Sequence, residues 1–434
     1  MRLYSQQSLF NNHTEATKAH HQRNSTTFVN NMKLPLHRWF RYAAGFSAEW
    51  VEQMLQNACN GVPIRLLDPF AGSGTTVLAG QAVGIEAIGL EAHPFVARIA
   101  QAKLLWGTDV AAFQALAHEI GAQAKMFRGK LAAYPKLINA CYPQATLSEL
   151  DALRQVYLSF AARNPESELC WLALTAILRS CSPVGTAQME LIQPRKRKQK
   201  CLAPFTAFEA QVKLMAHDMR GLQASRQFNV AASIEQSDAR MCGTIQDKSI
   251  DFVVSSPPYV NNYDYADATR FEMSFWGEVS GWGDLHAKVR QHLVRSCTQH
   301  MSSSNDDLEN LLNDLALAPI ITEISEVCAR LSQERFLHGG KKNYHLMVAA
   351  YFADLTKVWQ ALRRVCTTNS TVCFVVGDSA PYGIYVPVHE WLGALAVANG
   401  FREFAFEKTR DRNVKWKNRK HRIPLCEGLL WIEG

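Results

Sequence analysis

Two stretches of this chain carry residue types that could do chemistry at the end of a β-strand. The first is Val253-Val254-Ser255-Ser256-Pro257-Pro258-Tyr259, a β-branched run that must stop at its prolines. Neither proline can donate to a sheet ladder, and φ is fixed at both. The strand therefore ends in a stiff loop that offers the Ser256 hydroxyl and the Pro257 carbonyl as acceptors, with the Tyr259 ring beside them. Open α/β sheets place their ligands at this carboxyl edge. Taken alone, the same residues also describe an ordinary strand-end turn with a packed tyrosine. The second stretch is Leu66-Leu67-Asp68-Pro69-Phe70-Ala71-Gly72-Ser73-Gly74-Thr75-Thr76. A short apolar strand over 64–68 closes at Asp68-Pro69, and a helix over 75–83 opens from the turn. Gly72 and Gly74 permit tight turning and close backbone approach, so strand, turn and helix N-terminus form a cofactor cradle. The full GxGxxG spacing and a GKS or GKT ending are absent, which excludes a dinucleotide or phosphate-loop fingerprint. A strand over 86–90 then ends at Glu91-Ala92-His93-Pro94. An acid at that tip, about 20 residues past the turn, is where such folds grip ribose hydroxyls, and Glu91 is read as that acid.

The elements that position these residues follow from the rest of the chain. At 434 residues it is one elaborated domain or two. With 47% hydrophobic and 20% charged residues it can bury a sizeable core, which excludes a disordered chain. A net charge of +7 tolerates a polyanionic partner without demanding one. The 11 cysteines are scattered, with no CxxC pair and no clustered Cys/His spacing. That points away from a zinc site or disulfide framework and towards reduced thiols in a cytosol. The N-terminus has no apolar leader, and no apolar run is long enough to span a bilayer. The expectation is a soluble cytoplasmic protein with no metal and no membrane contact.

Residues 1–35 read as a polar arm. The cofactor half of the core follows over 36–109, with Trp39 and Phe40 as core and Ser47 as the N-cap of a helix carrying Trp50, Val51, Met54 and Leu55 on one face. Residues 110–228 read as an insertion of helices at 111–125, 147–160, 169–179 and 205–224, without strands between them. Inside it, Pro194-Arg195-Lys196-Arg197-Lys198-Gln199-Lys200 reads equally as a solvated loop or a phosphate contact. The catalytic half occupies 229–275, a second irregular to helical insertion 276–345, and the closing strands 346–434. Strands are expected at 64–68, 86–90, 231–236, 250–254, 371–376, 401–407 and 428–433. Five alternate with helices and two close as an antiparallel pair, so the fold class is α/β with a mostly parallel, doubly wound sheet. Between the last two strands lies a basic stretch over 408–422 that includes Arg410, Arg412, Lys415, Lys417, Arg419 and Lys420. A solvated hairpin is the plain alternative there; the density of positive charge favours a nucleic-acid contact.

The sequence DPFAGSGTT at 68–76 resembles the cofactor motif of the amino-directed DNA methyltransferases, and SPPY at 256–259 resembles their catalytic (Asp/Asn/Ser)-Pro-Pro-Tyr motif. The resemblance spans 36–109, 229–275 and 346–434 and leaves out both insertions. It implies a Rossmann-like class I methyltransferase fold, S-adenosyl-L-methionine as cofactor, and double-stranded DNA with a flipped base as substrate. Asp68, Pro69, Phe70, Ala71, Gly72, Gly74, Thr75 and Thr76 would form the cofactor motif, with Asp68, Phe70, Gly72 and Gly74 on the methionine part. Glu91 would bind the ribose hydroxyls and Asp238 the adenine amino group. Ser256, Pro257, Pro258 and Tyr259 would form the catalytic motif. The segment around Phe46 resembles the helix-and-loop element that precedes the cofactor motif in one of the family's circular orders. One departure is plain: no separate recognition domain follows the core, so recognition falls to the insertions or the basic hairpin. A cognate restriction or other defence protein is the further partner the resemblance implies.

The chemistry of these residues supports the same reading. A sulfonium methyl is already activated, while an exocyclic amino nitrogen is a poor nucleophile because its lone pair is spread into the ring. The Ser256 hydroxyl and the Pro257 carbonyl could hold its hydrogens out of plane and restore nucleophilicity. Tyr259 would stack on a base flipped from the duplex. No Pro-Cys dipeptide occurs, which argues against covalent cytosine carbon-5 chemistry. In the resembling family, serine at the first motif position leans to cytosine N4, although a hydroxyl accepts equally from adenine N6. The long insertions leave RNA open as a substrate. Intact Asp68, Gly72, Gly74, Ser256 and Tyr259 count against a protein that only binds.

Overall fold

The computed structural model describes residues 28–42, 45–59, 62–160, 163–186, 192–197, 200–225, 230–301, 307–412 and 423–434. Most of the expected N-terminal arm (1–27), the polar run 302–306, and Lys198, Lys415, Lys417, Arg419 and Lys420 lie outside the described residues.

Seven strands make the main sheet: β1 (Arg65–Asp68), β2 (Glu86–Leu90), β3 (Ala232–Glu235), β4 (Ile250–Ser255), β5 (Cys366–Gly377), β6 (Glu403–Arg412) and β7 (Leu425–Glu433). Their order is β3-β2-β1-β4-β5-β7-β6. Every pairing is parallel except the two that β7 makes, with β5 and with β6. This is the Rossmann-like methyltransferase sheet expected from the sequence. The order reverses at β1, which has β2 on one side and β4 on the other, and the crevice of such a sheet opens at that reversal.

The helices before and within the first insertion are α1 (Ala48–Cys59), α2 (Thr75–Ala82), α3 (Pro94–Leu104), α4 (Val110–Met126), α5 (Lys136–Cys141), α6 (Gln144–Ser159), α7 (Pro165–Cys181) and α8 (Pro204–Ser225). After β4 come α9 (Tyr265–Trp276), α10 (Trp282–Lys288), α11 (Leu308–Leu312), α12 (Ile321–Leu337), α13 (Tyr344–Val365) and α14 (Val388–Ala398). No helix among the described residues is long and apolar enough to cross a membrane.

Strand alternation divides the core into two layers. Leu67 and Val253 face one side, with Trp359 of α13 and Trp391 of α14; Leu66, Phe252 and Val254 face the other, with Val51 of α1 and Val77 of α2. Burial on both faces explains the apolar pair Leu66-Leu67 in β1 and the apolar run Phe252-Val253-Val254 in β4. Trp359 stacks on Phe374 of β5 with centroids 4.9 Å apart. A third apolar cluster joins α4–α8 to Trp39, to Phe95 and Ile99 of α3, and to Phe271 of α9. The first insertion thus shares its packing with elements that carry the cofactor turn and the loop after β4. Trp39 also donates from Nε1 to the buried Asp218 of α8 at 3.0 Å.

Two expectations are corrected. The first insertion is not free of strands: Val184–Thr186 pairs antiparallel with Ile192–Arg197, and this strand contains Arg195, Lys196 and Arg197, where a loop was expected. Pro194 is tolerated because a two-stranded ribbon leaves each strand an open edge. The second concerns the basic stretch, whose first residues belong to β6: Arg410 and Arg412 pair with Glu427 and Leu425 of β7.

Gly89 of β2 sets how closely the turn after β1 approaches the sheet. A Cβ there would lie 2.5 Å from Ile234 Cδ1, 2.7 Å from Ala71 Cβ and 2.8 Å from Val77 Cγ2. Gly89→Ala overpacks this junction and is expected to cost about 2 kcal/mol, read as a lower urea midpoint with an unchanged m-value.

Candidate active site

The turn after β1 is built from local hydrogen bonds. Asp68 Oδ1 accepts from the Phe70 amide at 3.0 Å, which closes an Asx turn over Pro69. The same oxygen accepts from the Ser255 hydroxyl at the end of β4, at 2.6 Å. Gly72 and Gly74 both have positive φ, +52° and +89°. The Gly72 amide donates to Glu91 Oε2 at 2.8 Å and the His93 amide to Glu91 Oε1 at 2.7 Å. One carboxylate thereby ties the turn after β1 to the turn after β2. Beneath the turn, the buried Lys103 of α3 donates from Nζ to the Ser73 carbonyl. Burial lowers that ammonium to about 7.

A cavity of about 640 Å³, including space open to solvent, lies over these turns at the carboxyl edge of the sheet. Pro69, Phe70, Gly72, Glu91, Asp238, Ser256 and Pro258 line it together. The other residues of the candidate cofactor motif stand behind this wall. Asp68 is 1% exposed, and Ala71, Gly74, Thr75 and Thr76 are buried. Thr76 Oγ1 donates to the Val254 carbonyl, and Gly74 lets α2 start close against Ala100 of α3. Asp238 is held by Arg240, whose Nη2 lies 2.6 Å from Oδ2. Pro257 is buried, and Tyr259 stands half-buried beside the wall.

Several lining residues were not expected. Tyr42, from the aromatic cluster before α1, packs its ring against Gly72: a Cβ there would be 3.3 Å from Tyr42 Cε1. Tyr265, at the start of α9, closes another side. His292, Leu293 and Val294 come from the second insertion. Their strap is fastened by long-range charges. Arg290 Nη2 donates to Asp264 at 2.6 Å, and Arg295 Nη2 donates to Asp354 of α13 at 2.8 Å. Nothing local in the sequence signals these pairs; Tyr42 was visible only as part of an aromatic run.

The scattered cysteines also concealed a cluster. Asp378, His389 and Cys426 bring donor atoms within 4.8 Å of one another. Hydrogen bonds join them: Cys426 Sγ donates to Asp378 Oδ2 at 3.0 Å, and His389 Nδ1 lies 3.1 Å from Asp378 Oδ1. Of the expected nucleic-acid residues, Arg410 pairs with Glu427 at 2.6 Å and Arg412 is turned inward, while Arg195, Lys196 and Arg197 occupy the strand of the small ribbon.

Comparison with known proteins agrees with the geometry. A family model described as DNA methylase, of the N6/N4 type, matches residues 6–102, which include β1, the glycine turn and Glu91. The chain is similar to the amino-directed DNA methyltransferases. Type II methyltransferase M.BsoBI of Geobacillus stearothermophilus is 23% identical over 453 residues, 94% of this chain and 88% of that protein. Type II methyltransferase M.AvaI of Nostoc sp. strain PCC 7120 is 25% identical over 406 residues, 87% of this chain and 82% of that protein. M.AvaI of Anabaena variabilis gives the same figures. No solved structure matches the chain.

DNA methyltransferases of that family take their methyl group from S-adenosyl-L-methionine. The cavity of this chain fits that ligand: Gly72 keeps open a slot that a side chain would fill, and an acid lies at each of two strand ends. Burial raises Asp68 to about 6, opposed by its bonds from Ser255, Thr76 and Phe70. Burial likewise raises Glu91 to about 7, against the two amides that favour its ionised form. For such acids the stabilising contribution is complete below the unfolded carboxylate range near ~4 and is lost as pH rises through the folded value. The contribution of these two carboxyls is therefore lost between about pH 4 and pH 7, and Glu91→Gln is expected to remove its share of that pH dependence in urea titrations across pH.

Proposed function

We propose that this chain is a site-specific DNA methyltransferase that transfers the methyl group of S-adenosyl-L-methionine to N4 of cytosine. One observation carries the reading: Ser256 and Pro258 share a cavity wall with Gly72 and Glu91, so the amino-group acceptor and the cofactor acid face one space. The Ser256 hydroxyl donates its own hydrogen to the Val375 carbonyl on β5 at 3.2 Å. Its lone pairs are then what it offers an incoming amino group.

The cofactor, when bound, supplies a methyl group on a cationic sulfonium. Glu91 holds the ribose hydroxyls, Asp238 the adenine amino group, and the Gly72 turn the methionine part. The Ser256 hydroxyl and Pro257 carbonyl accept the two amino hydrogens of the target base, which draws the nitrogen lone pair out of the ring. Serine is too weak a base to take a proton first, so the proton leaves after transfer. Tyr259 stacks on the flipped base. Phosphate contacts fall to Arg195, Lys196, Arg197 and Lys198 and to the basic stretch with Arg410, Lys415, Lys417, Arg419 and Lys420. The relatives are named type II methyltransferases, and a restriction nuclease of the same target is the matching partner.

Nucleoside mass spectrometry of DNA incubated with the protein and isotope-labelled cofactor tests this. Label in N4-methylcytosine is the expected result. Label in N6-methyladenine keeps the chemistry and overturns the base, and label confined to RNA overturns the substrate. Ser256→Ala is expected to slow transfer about 100-fold or more. Tyr259→Ala is expected to slow it about 10- to 100-fold. Cofactor binding by calorimetry should be retained in both variants; full activity in either would refute the site.

A further inference from the structure

Arg412 ends β6, where the basic stretch between the last strands continues. Its place in the sequence suggests a phosphate contact, yet its guanidinium points back into the protein. Nη1 donates to the Asp378 carbonyl at 2.7 Å. Nε lies 3.9 Å from Glu427, and only 19% of the side chain is exposed. The guanidinium carbon sits over the Tyr259 ring, 5.1 Å from its centroid, within the range at which an aromatic face holds a cation.

The surroundings maintain that position. Gly377 supplies the room: a Cβ there would lie 2.7 Å from Arg412 Nη1 and 3.2 Å from both Cδ and Cζ. Glu427 is 5% exposed and is also bound by Arg410. The residue whose carbonyl receives the guanidinium, Asp378, is fixed through its side chain by His389 and Cys426. A backbone carbonyl, a buried carboxylate and an aromatic face therefore share one cation.

We propose that Arg412 is a positioning residue for methyl transfer, holding one face of Tyr259 so that the opposite face receives the extruded base. The inference rests on the reading of Tyr259 as the stacking ring, and it takes Arg412 out of the set of phosphate contacts. A phosphate contact and a positioning cation have different signatures. Loss of the first weakens binding and lowers the salt slope by about one, because a counterion is no longer released. Loss of the second leaves that slope alone and slows the chemical step.

The test is single-turnover methyl transfer from labelled S-adenosyl-L-methionine to DNA, with full-length protein and cofactor in saturating excess. DNA binding is measured in parallel over a salt series. At saturation the rate constant does not depend on the fraction of protein that folds, as long as folded protein remains in saturating excess over DNA. Arg412→Gln is expected to slow the single-turnover rate constant about tenfold and Arg412→Lys to recover most of it. Gly377→Ala keeps the charge and displaces the guanidinium, so it should behave like Arg412→Gln. All three should keep the wild-type salt slope. A wild-type rate constant in Arg412→Gln, or a salt slope smaller by about one, overturns the proposal while the methyltransferase reading stands. Absence of transfer by the wild-type protein removes both together.

Discussion

The site depends on the buried hydrogen bond from the Ser255 hydroxyl to Asp68, 2.6 Å long. It joins the last residues of two neighbouring parallel strands, β1 and β4, at the point where the strand order reverses. Each strand is followed within two residues by a proline, so neither can extend past this point. The same Asp68 oxygen also receives the Phe70 amide. The turn that carries Gly72 and the loop that carries Ser256 thus leave the sheet from one fixed junction. Asp68 is an anchor of this junction more than a wall of the cavity. An acceptor left without its donor in such a buried place is costly, which makes the pair a strong constraint on loop geometry.

The remaining walls are brought in from far along the chain, and charge does most of the fastening. Arg290 and Asp264 are both nearly buried, at 5% and 8% side-chain exposure. Asp264 also accepts from the Ala266 amide, so it caps α9 while it holds the strap. Asp354 on α13 receives Arg295 and lies 3.4 Å from Arg240, which in turn grips Asp238. A buried ion pair adds little net stability, since desolvation offsets its attraction, but removing one partner strands the other. Such pairs therefore act here as register pins. They set where Leu293 and Val294 meet the cavity and where Asp238 faces it.

How much of this was legible follows from the range of the forces involved. The central strands could be read because burial on both faces demands apolar stretches, and the glycine turn because positive φ favours glycine. The turn after β1 and the proline loop after β4 were legible for the same local reason: prolines and glycines restrict where backbone can go. The small ribbon was missed because its strands are three and six residues long, and one of them is half basic with a proline inside. The strap was missed because Arg290–Asp264 and Arg295–Asp354 carry no periodic signal. The Asp378–His389–Cys426 cluster was hidden because its members come from a strand end, a helix start and the opening of another strand. Local rules read elements, and the walls of this cavity are made by contacts between elements.

The two adjacent serines show how a local rule can nevertheless assign a role. Ser255 closes β4 and Ser256 stands one residue beyond it, and the two hydroxyls take different partners. Ser255 turns to Asp68 on the β1 side and is fully buried. Ser256 leans to the β5 side, gives its hydrogen to the Val375 carbonyl, and stays open to the cavity. A hydroxyl has one hydrogen and two lone pairs. Once the hydrogen is committed to a sheet carbonyl, the exposed oxygen is an acceptor in fixed orientation. An amino group whose hydrogens must be held needs such a partner, and it needs no proton from it. The serine one residue earlier, with its oxygen sealed behind the turn, could not offer this.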